Sequence, residues 1–399
     1  MDIFVTQFES LFSIVSSVVP FIIMIGIVVT IHELGHYYAG RIFGAAVESF
    51  AFGFGRSLLE VTDKNGTRWR LNWLPLGGFV KFVGEASPEE LQNENYRAPI
   101  GKKYTELAAW QRVIVSLAGP IANFILAIAL YASIFVSFGK PVFGDVNVHS
   151  IASGSAAEIA GVMVEDKILA VDNKKISNAS ELIEAVAYSA DEPVVLTIMR
   201  SGEPLSLTVT PKREVVINER LGIEDEIGRI GVGVSAELVS IEKVPVIEAI
   251  GIGADQTAEV IRKTIKVLKR LIFGKDSFEK MRGPLGIGDI ADRVVDSNMK
   301  RTDIDLKEKL NSTFWQMLEL IAMFSVSIGF FNLLPIPMLD GYSALLGLYE
   351  AVVGSEVSLR FQDYLLRGGL AVVGLFFIAV TWNDLRRLGL LDVFSSLLS

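Results

Sequence analysis

The stretch LFSIVSSVVPFIIMIGIVVTIHELGH, Leu11 to His36, decides how the chain must be read. Leu11–Ile31 has 21 residues without a charge, enough to cross a bilayer as a helix. The run passes straight into His32-Glu33-Leu34-Gly35-His36. On a helix, residues four apart share a face, so both imidazoles can reach one ion, with Glu33 beside them as a base. No basic stretch precedes the run, with Asp2 and Glu9 its only charges, and no small-residue cleavage site interrupts it. It reads as a retained span rather than a signal peptide.

Three more uncharged runs follow: Val113–Gly139, Leu320–Leu339 and the shorter Gly368–Asn383. The 399 residues are 51% hydrophobic and 21% charged, with mean hydropathy +0.44. The expected fold is therefore a membrane protein with a mainly α-helical core of four spans. A net charge of −9 argues against a nucleic-acid partner. The chain has no cysteine, which excludes disulfides, thiolate metal sites and a Cys nucleophile.

The connection 44–112 carries nine Lys and Arg, the densest basic loop, and the positive-inside rule makes it cytoplasmic. The N-terminus and the long insert after the second span then lie outside. Within 44–112, Val47–Phe52, Leu58–Thr62, Thr67–Trp73 and Gly78–Phe82 read as strands, with Asn65-Gly66 as a hairpin turn. The insert begins as a small α/β module over 140–212, with a hairpin around Ser201-Gly202 and a helix near 180–188 capped by Ser180. Pro245–Phe273 reads as an amphipathic helix.

A catalytic zinc needs three protein ligands and an open position. With no cysteine, the third ligand must be His149 or a carboxylate. His149 lies beyond the far end of the second span, about 30 Å of hydrocarbon from His32 and His36. Asp340 is the better candidate, because Pro335 and Pro337 break the third apolar run just before it. An ionisable residue at a broken intramembrane helix is a functional candidate by default.

The set HELGH, Asn332-…-Pro335-Ile336-Pro337-Met338-Leu339-Asp340-Gly341 and the inserted module resembles the site-2 proteases of the bacterial RseP type. The segment Gly154–Asp172 resembles a bacterial PDZ domain, and Gly53–Arg56, Leu74–Lys81, Gly119–Asn123 and Arg282–Ile287 also look like family segments. The resemblance implies an intramembrane zinc metalloprotease. His32, His36 and Asp340 would hold Zn2+, Glu33 would be the base, and Asn332 would contact the substrate backbone. Its strands would form a membrane-associated β-hairpin whose edge pairs with unwound substrate.

The implied substrates are single-span membrane proteins already trimmed outside, such as anti-sigma factors or remnant signal peptides. The implied location is the bacterial inner membrane, with the PDZ domain periplasmic and open to a peptide or a substrate ectodomain. Two features depart from the family: Tyr342 follows Gly341, and one PDZ domain can be placed where many members have two.

The expected organisation is a first helix with HExxH over 1–43, the hairpin loop 44–112 and a second helix 113–139. The PDZ domain 140–212 follows, then a linker and amphipathic segment 213–319, a third span 320–349, and a fourth span with the C-terminus over 350–399. The motif Gly286-Ile287-Gly288-Asp289 matches that of intramembrane aspartyl proteases, but the chain has no Tyr-Asp partner for it. A transporter with a broken helix and a catalytically inactive membrane PDZ scaffold are the alternatives. Stoichiometric zinc, lost on changing His36, separates them from the protease.

Overall fold

A computed structural model of the protein describes residues 2–84, 99–218, 223–276, 283–355 and 357–387. The chain divides into two compact units. One comprises Met1–Tyr131, Gly253–Ile261 and Met281–Ser399, and the other Ala132–Ile252 and Arg262–Lys280. Among the described residues, four helices contain stretches long and apolar enough to cross a membrane: Pro20–Ile42, Ala109–Phe138, Leu306–Asn332 and Arg360–Arg386.

The first unit opens on α1, Asp2–Ile42, which carries the HExxH motif on its last turns. Gly44, at φ +82°, ends it in the left-handed region that glycine enters freely. Two long strands follow, β1 (Val47–Thr62) and β2 (Arg68–Phe82), around a turn where Asp63 Oδ1 accepts from the N–H groups of Asn65 and Thr67. Both strands bend at glycines with positive φ, Gly53 and Gly55 in β1 and Gly77 in β2. Residues 47–52 therefore lie against 78–82 on one side and 68–71 on the other, and 57–62 lie against 68–72. The four short runs expected from the sequence are present, as segments of two bent strands, with 78–82 on one edge. Tyr37, Phe50, Phe82 and Val115 form the core beneath them.

Helix α2, Ala109–Phe138, crosses α1 at two glycines. A Cβ on Gly35 would stand 2.3 Å from the Ala118 carbonyl oxygen, so the missing side chain lets the two backbones approach.

The second unit carries the inserted module. It contains β3 (Lys140–Phe143), β4 (Val146–Ile151), α3 (Ala156–Ile159), β5 (Lys167–Val171), β6 (Lys174–Lys175), α4 (Ala179–Ala187), β7 (Val194–Arg200) and β8 (Glu203–Val209). It continues with β9 (Lys212–Asn218), β10 (Ile223–Arg229), β11 (Val232–Ser235) and β12 (Leu238–Glu242). One sheet has the order β11-β4-β5-β7-β8, with β6 on β5. Val148, Ile168, Leu182, Leu196 and Ile198 fill its core.

Two expectations are corrected here. The sheet does not close by residue 212: β11 pairs with β4, with Val232 opposite Ile151. Beyond 212, β11 thus belongs to this same sheet, while β9 pairs with β10 and β12 with β3, so the described part of 213–244 is more than a linker. The cap of α4 is Asn178, whose side chain accepts from Glu181 N, and Ser180 lies inside the helix. The expected hairpin is present, with Ser201 and Gly202 both at positive φ.

Helix α5, Val246–Ile272, is amphipathic as expected. Its last turns pack on the second unit: Lys266 donates to Ser189 Oγ at 2.7 Å and Arg270 to the Ala190 carbonyl at 2.9 Å.

The chain then returns to the first unit. Helix α6 is Pro284–Met299, and α7 is Leu306–Asn332 with Asp305 as its cap. The expected span 320–349 is two helices. α7 stops at Asn332, a turn holding Pro335 and Pro337 follows, and α8, Asp340–Val353, begins at the aspartate. Met338 takes φ +80° in that turn, and a Cβ on Gly341 would stand 2.2 Å from the Leu333 carbonyl oxygen. The return thus needs glycine directly after Asp340. α9, Leu359–Arg387, is the last helix. Its buried Asp384 accepts from the N–H groups of Gly283 and Gly286 at 3.0 and 2.9 Å, closing the start of α6.

Candidate metal centre

Three side chains meet inside the first unit. His32 and His36 come from one face of α1, and Asp340 from the first position of α8. Their ligand atoms all lie within 4.8 Å of one another, and no other such group occurs among the described residues. His32 Nε2 is 3.2 Å from His36 Nε2 and 2.9 Å from Asp340 Oδ2, and His36 Nε2 is 3.3 Å from Asp340 Oδ1. A tetrahedral zinc with ligands at about 2.0–2.1 Å sets them about 3.3 Å apart. The three atoms already stand close to that spacing.

The donor chemistry fits a cation as well. His36 Nδ1 faces the Val115 carbonyl at 2.7 Å, so that nitrogen carries the proton and Nε2 presents a lone pair to the cluster. Asp340 Oδ2 is buried and accepts no hydrogen bond of good geometry, although His32 lies close. Gly119 of α2 borders the cluster on the side of the two Nε2 atoms. A Cβ there would stand 2.3 Å from His36 Nε2 and 2.8 Å from His32 Nε2. The glycine keeps open the space an ion would use.

Glu33 lies in the same cavity, of about 600 Å³, with Asn332, Phe79, Val80 and Met338. The Val80 N–H donates to Glu33 Oε2 at 2.9 Å, so the edge run 78–82 holds the carboxylate by one oxygen. Arg112 and Glu350 also line the cavity, paired at 2.5 Å.

The structure thus brings His32, Glu33, His36, Asn332 and Asp340 around one cavity. His149, exposed on β4, belongs to no such group. Asp289 of the Gly-x-Gly-Asp motif pairs with Arg293 one turn along α6. Two residues at the site were assigned no role from the sequence, Gly119 and Asn123. Their four-residue spacing on α2, matching that of the two histidines on α1, was the available signal. Asn123 is fully buried, with its side-chain nitrogen 3.1 Å from His32 Nδ1.

Comparison with known proteins agrees with this geometry. MmpA of Caulobacter vibrioides, a metalloprotease, is 35% identical over 388 residues, covering 92% of this chain and 95% of its own. R01501 of Rhizobium meliloti, named as a candidate zinc metalloprotease, is 34% identical over 375 residues, covering 92% and 96%. Among solved structures, the PDZ domain of an SdrC-like protein from Listeria monocytogenes aligns with 24% of this chain and 92% of its own, at 16% identity and a TM-score of 0.19. The cofactor is Zn2+, in keeping with the His-His-Asp cluster and the name of the Rhizobium relative. The model of peptidase family M50 matches residues 20–376, nearly the whole of both units, and the chain belongs to that family, the intramembrane zinc metalloproteases of the site-2 type.

Proposed function

We propose that this enzyme cuts a peptide bond within the transmembrane segment of a single-span membrane protein, after another protease has trimmed its outer part. Remnant signal peptides and anti-sigma factors are the substrate classes in view. The observation that carries the reading is one cavity holding the His32–His36–Asp340 cluster, Glu33 and a sheet edge.

His32, His36 and Asp340 are the zinc ligands in this reading. When bound, zinc supplies Lewis acidity, which makes water a nucleophile near neutral pH and polarises the scissile carbonyl. Glu33 takes a proton from the water and passes it to the departing amine nitrogen, so the step balances as hydrolysis. The hydrogen bond from Val80 aims the Glu33 carboxylate. A substrate helix must unwind before its carbonyl can be reached, and unwound backbone in hydrocarbon costs several kcal/mol per unsatisfied group. The edge run 78–82, whose Phe79, Val80 and Phe82 line the cavity, offers backbone partners that offset this cost. Asn332, at the end of α7, lines the same cavity, which supports its role as a partner of the substrate backbone.

The enzyme sits in the bacterial inner membrane with residues 44–112 on the cytoplasmic side, an orientation that their nine basic residues support. The PDZ domain is then periplasmic, where it takes a peptide or excludes bulky ectodomains.

The test uses the purified full chain in detergent and a tagged single-span reporter without its outer domain. The wild type cuts within the span, and Glu33→Gln keeps its zinc but loses cleavage. Equal cutting by both proteins refutes the role of Glu33, and cutting outside the span refutes the substrate class.

A further inference from the structure

Both histidines turn Nε2 toward the cluster, so each ring is held from behind by whatever meets Nδ1. For His36 this is the Val115 carbonyl, an acceptor that fixes the ring and its tautomer together. For His32 it is Asn123, which shows its side-chain nitrogen at 3.1 Å while its Oδ1 is buried with no hydrogen-bond partner. A histidine that ligates through Nε2 carries its proton on Nδ1, and that proton needs an acceptor. An amide nitrogen cannot supply one. A half-turn about the last side-chain bond exchanges the two nearly isosteric ends of the amide and sets Oδ1 against the ring. The bond becomes His32 Nδ1–H donating to Asn123 Oδ1.

The placement of Asn123 fits this use. It is a fully buried amide in the middle of a helix long and apolar enough to span a membrane, where an unpartnered polar group is costly. Its backbone carbonyl accepts from Ser325 Oγ of α7 at 2.8 Å. Gly329 of α7 presses on it too, since a Cβ there would stand 3.2 Å from Asn123 Cβ. α7 thus holds the residue at its backbone carbonyl and at its Cβ.

We propose that Asn123 is the positioning residue of His32, its amide oxygen accepting from Nδ1–H and thereby fixing the ring angle and the tautomer in which Nε2 binds zinc. This rests on His32 being a ligand. The residue acts through His32 and touches neither substrate nor metal.

Zinc affinity of the full-length protein in detergent, measured against a competing chelator, tests this apart from any cleavage. His32→Ala sets the scale for loss of a ligand. If it binds zinc as the wild type does, the ligand assignment falls and the proposal with it. Asn123→Leu removes the acceptor and should weaken zinc binding about 10–100-fold. Asn123→Asp restores an acceptor of the same shape and should stay within about threefold of the wild type or bind more tightly. Ser325→Ala removes the helix–helix bond but leaves the amide, and should also stay within about threefold. Wild-type affinity in Asn123→Leu overturns the proposal. So does equal weakness of Asn123→Asp, or of Ser325→Ala, which would trace the loss to packing. If the leucine variant does not fold, Asn123→Ala carries the same comparison.

Discussion

Replacing Gly119 by alanine adds one carbon at the most crowded point of the metal centre. The new Cβ would stand 2.3 Å from His36 Nε2, whereas ordinary contact begins at 3.4 Å, so one side must yield by about 1 Å. The backbone of α2 has little room to shift, because α7 is packed on it too: a Cβ on Gly329 would stand 3.1 Å from the Pro120 carbonyl oxygen. The imidazole must therefore move. Zinc sites hold their ligand distances to about 0.2 Å, so a shift of that size removes His36 from the ligand set. Loss of an outer hydrogen bond alone costs about 10–100-fold in affinity, and loss of a ligand should exceed it. The expected fall is at least about a hundredfold, or about 3 kcal/mol at 1.4 kcal/mol per decade. Alanine favours a helix over glycine by up to about 1 kcal/mol, so α2 itself should not melt earlier. The assay is zinc content and chelator competition on the full chain in detergent, with a melting curve as control. The expected variant is folded, poor in zinc and inactive. One zinc held at wild-type affinity would refute the reasoning and place the ion elsewhere.

Other consequences can be measured. Asp384→Leu leaves the N–H groups of Gly283 and Gly286 without their acceptor, and should destabilise the protein by about 1–3 kcal/mol in thermal denaturation while zinc stays bound. The chain has no native cysteine, so Val80→Cys combined with Glu33→Gln and a cysteine-scanned substrate reads the edge pairing directly. Cross-links should recur at every second substrate position, and a helical or flat pattern would count against strand addition. In the second unit, Arg200 grips the buried Asp166 through two bonds of 2.8 Å. With help from the Met163 N–H, this holds the Asp166 carboxyl below its usual range against the burial that would raise it. The pair's stabilisation is full above the ordinary carboxylate value and is lost as pH falls through the depressed one. Arg200→Ala should move the onset of acid unfolding, read by pepsin sensitivity, to higher pH. An unchanged onset would show that the pair does not govern acid stability.

The parts of the site carried by local pattern were legible in the sequence. Four-residue spacing on one helix face joined His32 to His36, and two prolines marked the break that ends at Asp340. Hydropathy marked the four helices that, among the described residues, are long and apolar enough to cross a membrane, because a bilayer imposes a minimum apolar length. What the sequence hid depends on long-range approach. Nothing local to Gly119 or Asn123 says that α2 crosses α1 at the two histidines. The hairpin strands were found one by one, but the bends at Gly53, Gly55 and Gly77 that set them side by side need φ values no composition reveals. The second unit ran past its expected end because β11 pairs with β4, about eighty residues earlier, a contact of high sequence separation with no local signature. Asn178 and Ser180 are both good caps, and the fold chose the one whose side chain reaches Glu181 N.

On the proposed assignment of His32, His36 and Asp340, the ligand set is divided in time as well as in space. His32 and His36 emerge early in synthesis, while Asp340 follows about 300 residues later, after the whole second unit. At about 5–20 residues per second, translation leaves an interval of roughly fifteen seconds to a minute in which two histidines exist without their carboxylate. Until α8 docks, the third ligand is absent and the cavity has no wall on that side. On that assignment the metalloprotease cannot complete its metal centre before α8 has been made and packed, so assembly of the helices precedes chemistry.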